Sequence, residues 1–136
     1  MRPAAALPWL LLAAGLGGCL ANYRLPADGP SARVQVARKA TPTLCVDERQ
    51  AQLVPDREGY ARVPAGRPIT LAAQFEGHDF VCIPVVSFTP EPDASYEQAF
   101  GVRSRACWTS VARQTENGLE PVASSAAGSY GCRGRP

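Results

Sequence analysis

An all-β fold, a small antiparallel β-sandwich, is predicted by three features of this chain. Apolar residues recur at every second position over several short stretches, the period of a strand with one buried face. Turn-forming clusters built on Pro, Gly and Asp separate those stretches at close intervals. No stretch carries apolar residues at helical spacing over a convincing length.

The elements follow in order. Residues 20–31, LANYRLPADGPS, read as a tether because Pro26, Asp28, Gly29 and Pro30 discourage regular structure. Twelve flexible residues span about 20 Å on average and at most roughly 40 Å. From Ala32 the β pattern begins, with Val34 and Val36 alternating against Arg33 and Gln35. Ile69, Leu71, Ala73 and Phe75 form the next apolar row, between the turn clusters Pro64-Ala65-Gly66 and Glu76-Gly77-His78-Asp79. The run Phe80 to Phe88 is apolar on both parities, as in a central strand covered on both faces, while Pro84 within it implies a bulge or an edge position. After Pro90-Glu91-Pro92-Asp93, Tyr96, Phe100 and Val102 share one parity. If Phe80 to Phe88, Ser95 to Val102 and Arg105 to Arg113 form an up-down-up meander, they are three neighbouring strands of one sheet. The Ser, Ala and Gly of residues 114–131 predict a mobile tail with one short strand at Glu120 to Ala123.

The stretch Val63-Pro64-Ala65-Gly66-Arg67-Pro68-Ile69-Thr70-Leu71, with Cys82, Ser87-Phe88-Thr89-Pro90, Ser95-Tyr96-Glu97 and Cys107, resembles small uncharacterised proteobacterial lipoproteins whose sandwich domain is similar to PEGA or transthyretin-like modules. The resemblance covers about Ala32 to Arg113. It implies a fold and a location, and no reaction.

The start of the chain carries a second resemblance. Met1-Arg2 precedes a mostly apolar stretch from Ala4 to Ala14, and Leu16-Gly17-Gly18-Cys19 closes it. The layout resembles a bacterial lipobox, with Leu16 and Gly18 at the positions that favour leucine and a small residue, and with Gly17 a less common choice. The resemblance implies that Cys19 receives a diacylglycerol on its thiol and becomes the mature N-terminus. Each buried methylene adds about 0.8 kcal/mol, so two or more acyl chains hold a protein firmly to a membrane. Two other readings compete. A membrane-spanning helix needs roughly 20 apolar residues, and Ala4 to Gly18 is shorter and interrupted by Pro8. An ordinary secretory signal cut after Cys19-Leu20-Ala21 would leave a soluble product. Leu20 stands where an aspartate would resemble an inner-membrane retention signal, so delivery to the periplasmic face of the outer membrane is expected. The domain plan is therefore a signal peptide at 1–18, a lipidated N-terminus and tether at 19–31, and a sandwich domain at 32–136.

Charge excludes one class of partner. Lys and Arg number 14 against 12 acids, and the basic residues are scattered, so no nucleic-acid partner is expected. Lys39 is the one lysine, a bias that reflects composition more than chemistry.

Four cysteines remain beside Cys19: Cys45, Cys82, Cys107 and Cys132. An even number in an exported chain favours two disulfides over free thiols. No short C-x-x-C spacing exists and His78 is the sole histidine, which argues against a metal site. In the meander, Cys82 and Cys107 would stand two interstrand spacings apart, about 9.5 Å, beyond the roughly 7 Å a disulfide allows. That excludes Cys82 with Cys107 and its complement, Cys45 with Cys132. Of the two pairings left, Cys45 with Cys82 and Cys107 with Cys132 is preferred for its shorter loops, Cys132 then clamping the tail.

No catalytic constellation is found, so an enzyme is not expected. His78 lies in a loop, and Ser87, Ser95 and Ser110 lack a Gly-x-Ser-x-Gly elbow to pair with it. The carboxylates Asp47-Glu48 and Glu91-Asp93 fall beside turns, whereas glycoside cleavage needs two carboxyls about 5 to 10 Å apart across a cleft. Phosphate loops, EF-hand spacing and dinucleotide fingerprints are absent, and no cofactor is implied. Phe75, Phe80, Phe88, Tyr96 and Phe100 read as core, and Trp108 as a residue packing on a disulfide. Tyr60 and Tyr130 are the aromatic candidates for contact with a partner. The expected function is a non-enzymatic, outer-membrane lipoprotein that serves as a structural or protein-binding accessory in the cell envelope, an envelope protein being the candidate partner. The alternative is a lipid-anchored inhibitor of lysozyme or a similar envelope-attacking enzyme, although none of the inhibitors' loop motifs can be matched.

Overall fold

A computed structural model describes residues 19–125 and Cys132. The segment read as a signal peptide, with Leu16, Gly17 and Gly18, and the tail around Cys132 with Tyr130, lie outside the described residues. Ten strands are formed among the described residues: β1 Ser31–Gln35, β2 Thr41–Val46, β3 Arg49–Gln52, β4 Tyr60–Pro64, β5 Ile69–Glu76, β6 Val81–Cys82, β7 Val85–Phe88, β8 Ser95–Arg103, β9 Ala106–Thr115 and β10 Gly118–Ser124. They make two sheets. The first has the order β10-β9-β8-β1-β4, and the second has the order β3-β2-β5-β6 with β7 also paired to β5. All-β, two-layered and mainly antiparallel, the fold is the sandwich that the alternation predicts. One pair departs from it, since β1 and β8 run parallel.

The chain changes sheet four times, after β1, β3, β4 and β7, and the last two changes coincide with residues that cannot continue a ladder. Pro64, Gly66 at φ 77° and Pro68 carry the chain from β4 to β5. Pro90, Pro92 and Asp93 at φ 61° do the same between β7 and β8. Between the layers lie Val34, Leu44, Val63 and Leu71, each fully buried, with Ile69, Val86, Phe88, Tyr96 and Val111. Burying side chains of this size stabilises by about 1.5 to 3 kcal/mol each. Tyr96 enters the core without a polar cost, because its hydroxyl accepts the Glu91 N–H at 2.9 Å.

Two hairpins turn through non-glycine residues of positive φ. Asp47 and Glu48 (φ 49° and 62°) join β2 to β3, and Ser104 and Arg105 (φ 48° and 65°) join β8 to β9. These are two-residue type I′ geometries, whose twist matches that of paired strands.

Three sequence expectations are corrected here. The Phe80 to Phe88 run is not one central strand: Ile83 and Pro84 divide it into β6 and β7, and the carbonyl of Pro84 accepts the Ala73 N–H at 3.1 Å across the break. Nor is it the first strand of the meander. β8 and β9 pair as predicted, but β7 belongs to the opposite sheet. The tail is the third case: the short strand expected at Glu120 to Ala123 is present but longer, for β9 runs on to Thr115 and β10 returns beside it from Gly118 to Ser124. Gly118 at φ 115° and the Thr115 hydroxyl, which accepts the Asn117 N–H, form the turn between them.

The failed meander also reverses the disulfide pairing. Cys82 bonds Cys107, with Cα atoms 6.1 Å apart, and Cys45 bonds Cys132 at 5.4 Å. Because β6 and β9 lie in different layers, the first bridge crosses the sandwich interior instead of spanning two strands of one sheet. On β2, Cys45 has the parity opposite to buried Leu44 and Val46, so the second bridge holds Cys132 on the outer face of the second sheet. The preferred pairs, Cys45 with Cys82 and Cys107 with Cys132, are both absent.

Candidate functional site

Cys19 stands exposed and free at the start of the described chain. Close behind it the backbone is held, not loose. The N–H of Gln52 donates to Ala21 O at 2.9 Å, the N–H of Tyr23 donates to Gln52 O at 2.7 Å, and Asn22 makes a parallel bridge with Gln52. The segment expected as a tether therefore lies along β3 from Ala21 to Tyr23. Tyr23 packs against the core, and a shallow cavity of ≈ 550 Å³ beside it is lined by Arg24, Asp47, Arg49 and Arg67 among others. Arg67 and Asp47 form a 2.9 Å ion pair there, both largely exposed. Burial raises the Tyr23 hydroxyl above the usual tyrosine pKa; the Arg67 charge opposes this and Asp47 reinforces it.

The residues considered for chemistry are dispersed. His78 is exposed in the β5–β6 turn, Ser87 shares a 2.7 Å hydrogen bond with Thr70, and the Ser95 hydroxyl accepts from Arg33 Nε at 3.0 Å. Ser110 lies on β9 in the other sheet from Ser87. Glu91 pairs with Arg113 at 2.7 Å, and Asp47 with Arg67, so these carboxylates serve surface ion pairs. Among the described residues no group of three His, Cys, Asp or Glu side chains could hold a metal ion.

Three aromatic expectations change. Trp108 does not pack on the disulfide: it neighbours Cys107 on a strand, so it faces outward while Cys107 faces the opposite layer, and its indole lies over Gly101 of β8. Tyr60 opens β4 with its hydroxyl donating to Gln114 Oε1 at 3.0 Å and with the Arg33 guanidinium 4.4 Å above its ring. It braces the outer face of the first sheet and is half-buried. Of the five residues read as core aromatics, Phe88 and Tyr96 meet edge-on within it at 5.1 Å. Phe75, Phe80 and Phe100 instead form a half-buried row at one end of the sandwich, with Phe75 5.9 Å from Phe80 and 5.5 Å from Phe100.

That end is where the β1–β2 crossover passes between the layers. Two open grooves flank the crossover residues Arg38 and Lys39, one of ≈ 390 Å³ that reaches Phe75 and one of ≈ 440 Å³ that reaches Gln98 and Phe100. Gln98 is buried, its amide NH₂ donating to Thr109 Oγ1 at 3.2 Å, while its Oε1 has no partner. None of this was signalled in the sequence, because Arg38 and Gln98 are 60 residues apart and meet only through the parallel pairing of β1 with β8. Comparison with known proteins finds no family model that matches the chain, no similar curated protein and no matching solved structure.

Proposed function

We propose that the protein is an outer-membrane lipoprotein, acylated on Cys19, whose sandwich is a non-enzymatic, protein-binding accessory of the cell envelope. The observation that carries this is Cys19 itself, placed directly behind Leu16-Gly17-Gly18 and directly ahead of the folded domain. Two disulfides suit an oxidising compartment such as the periplasm. The sandwich is of the general kind that a PEGA-like or transthyretin-like module would provide. Leu20 after the acylated cysteine favours the outer membrane over retention at the inner one. Acyl chains such as palmitate would anchor the domain close to the bilayer, since two residues separate Cys19 from the bridged Asn22.

Metabolic labelling with a fatty-acid probe tests the anchor. Wild type is expected to label, and Cys19→Ser to remain an unlabelled precursor because serine offers no thiol. Equal labelling of the two chains would remove the lipoprotein assignment. Adding lysozyme to the mature domain in a parallel assay separates the accessory from an inhibitor, which would abolish lysozyme activity stoichiometrically.

A further inference from the structure

Strand edges decide where a sheet can receive another chain, since each unpaired N–H and C=O is a position for an added strand. The outer edges of both sheets are obstructed. β10 contains Pro121 and a register shift between Pro121 and Ala123; the β6–β7 edge is broken at Pro84. β3 is partly covered by the chain at Asn22, and β4 is short, carries Arg62 and ends in Pro64.

One unobstructed edge lies inside the first sheet. The parallel ladder of β1 with β8 stops at Gln35↔Glu97, where the chain leaves for the second sheet, so residues 98–103 of β8 pair with β9 alone. This half-strand has no proline and no bulge. Its hairpin to β9 closes on the pair Arg103↔Ala106 around a two-residue turn, which makes that pair a hydrogen-bonded one. By alternation, the N–H and C=O of Phe100 and Val102 point away from β9, into the space that β1 has vacated. The part of that space beside residues 97–100 is the ≈ 440 Å³ groove between the crossover and β8. Phe100 offers an apolar surface there, and Gln98 an acceptor without a partner. Arg38 and Lys39 line it, with Glu97 the one carboxylate in the lining, and Arg103 stands beyond it at the hairpin end of β8; the three cations are exposed and form no ion pair among the described residues.

We infer that this half-edge of β8 binds an extended segment of a partner protein as an added strand, one apolar side chain resting on Phe100 and acidic residues flanking it beside Arg38, Lys39 and Arg103. The inference rests on the protein-binding reading above and names the surface and the partner's chemistry. Six residues of β8 offer roughly 20 Å of edge, room for a peptide of about six residues.

The test uses the mature, acylated full chain in detergent. A displayed library of random octapeptides is panned against it, and the recovered peptides are synthesised as free probes. They are expected to alternate apolar with polar residues and to carry Asp or Glu near the ends. Binding should weaken tenfold or more in Arg38→Glu with Lys39→Glu, and in Gln98→Leu, whose melting temperature should stay close to wild type because the bond to Thr109 Oγ1 and the unpartnered Oε1 are lost together while Thr109 keeps its bond to the Ala99 carbonyl. N-methylation of a bound peptide at alternate residues should abolish binding, and at the intervening residues should leave it, since every second N–H of an added strand faces β8. Recovery of no binding peptide, or indifference to the position of the methyl groups, overturns the proposal. So does a dimer of the protein that the same variants dissolve, because the occupant is then a second copy. Fatty-acid labelling of Cys19 is scored separately, so failure of the groove leaves the anchor standing, and failure of the anchor leaves the groove.

Discussion

Removing the bridge between the layers, by Cys82→Ala with Cys107→Ala, should cost stability that can be worked from the topology. The two cysteines are 25 residues apart, so the crosslink restricts the unfolded chain by about 3.5 kcal/mol in the chain-entropy account. The roughly 120 residues from Cys19 onward lose about 4 °C of melting temperature per kcal/mol, which places the expected fall near 14 °C. The bridge from Cys45 to Cys132 closes a separation of 87 residues and should cost more when removed, about 4.6 kcal/mol. Scanning calorimetry of the two double variants under oxidising conditions measures both the size and the order. A fall of less than about 5 °C for the first variant, or a larger loss from the first than from the second, would refute the loop-entropy argument. Non-reducing peptide mapping tests the layout beneath it: a peptide joining Cys45 to Cys82 would place β6 on the wrong strand neighbour and sink the topology.

Gly101→Val places a side chain where the Trp108 indole lies, so the ring should swing into water and its fluorescence shift to the red. The loss of stability should stay within about 1 kcal/mol, because valine's strand propensity offsets part of it; an unchanged spectrum would show that the indole does not cover Gly101. Changing His78 to Ala should leave stability within about 0.5 kcal/mol by urea titration, as expected of an exposed turn residue, and a large loss would mean that the imidazole is structurally engaged. For Tyr23 the folded state holds the phenolic proton more tightly than the unfolded one, so its stabilisation is complete below about pH 10 and is lost as pH rises through the higher folded value. Tyr23→Phe should therefore show a shallower alkaline loss of stability than wild type, and equal slopes would count against burial of this hydroxyl.

Period-two alternation made β1, β5 and β8 legible, because a strand with one buried face writes its geometry into every second residue. The Pro and Gly clusters marked the crossings before β5 and β8 for an equally local reason. Hairpin turns were harder to see. Asp47-Glu48 and Ser104-Arg105 adopt positive φ without the Asn-Gly or Asp-Gly chemistry that announces such turns, so β2, β3 and the β8–β9 connection had no local signal. In the tail Glu120 to Ala123 was legible as a short strand, while the Ser and Ala around it hid how far β10 extends and that it pairs with β9.

By itself the sequence determined the fold class, a small core of alternating apolar residues and four cysteines apt for bridges. The layer in which each strand lies was decided only in three dimensions. Alternation records which face of a strand is buried, and a buried face looks the same in either sheet. For that reason Cys82 could be read beside its neighbours in sequence when it stands opposite Cys107 across the core. The groove at Phe100 has the same origin: β1 parts from β8 after three paired residues, a choice fixed by where the crossover must go, and no residue of β8 records that its partner has left.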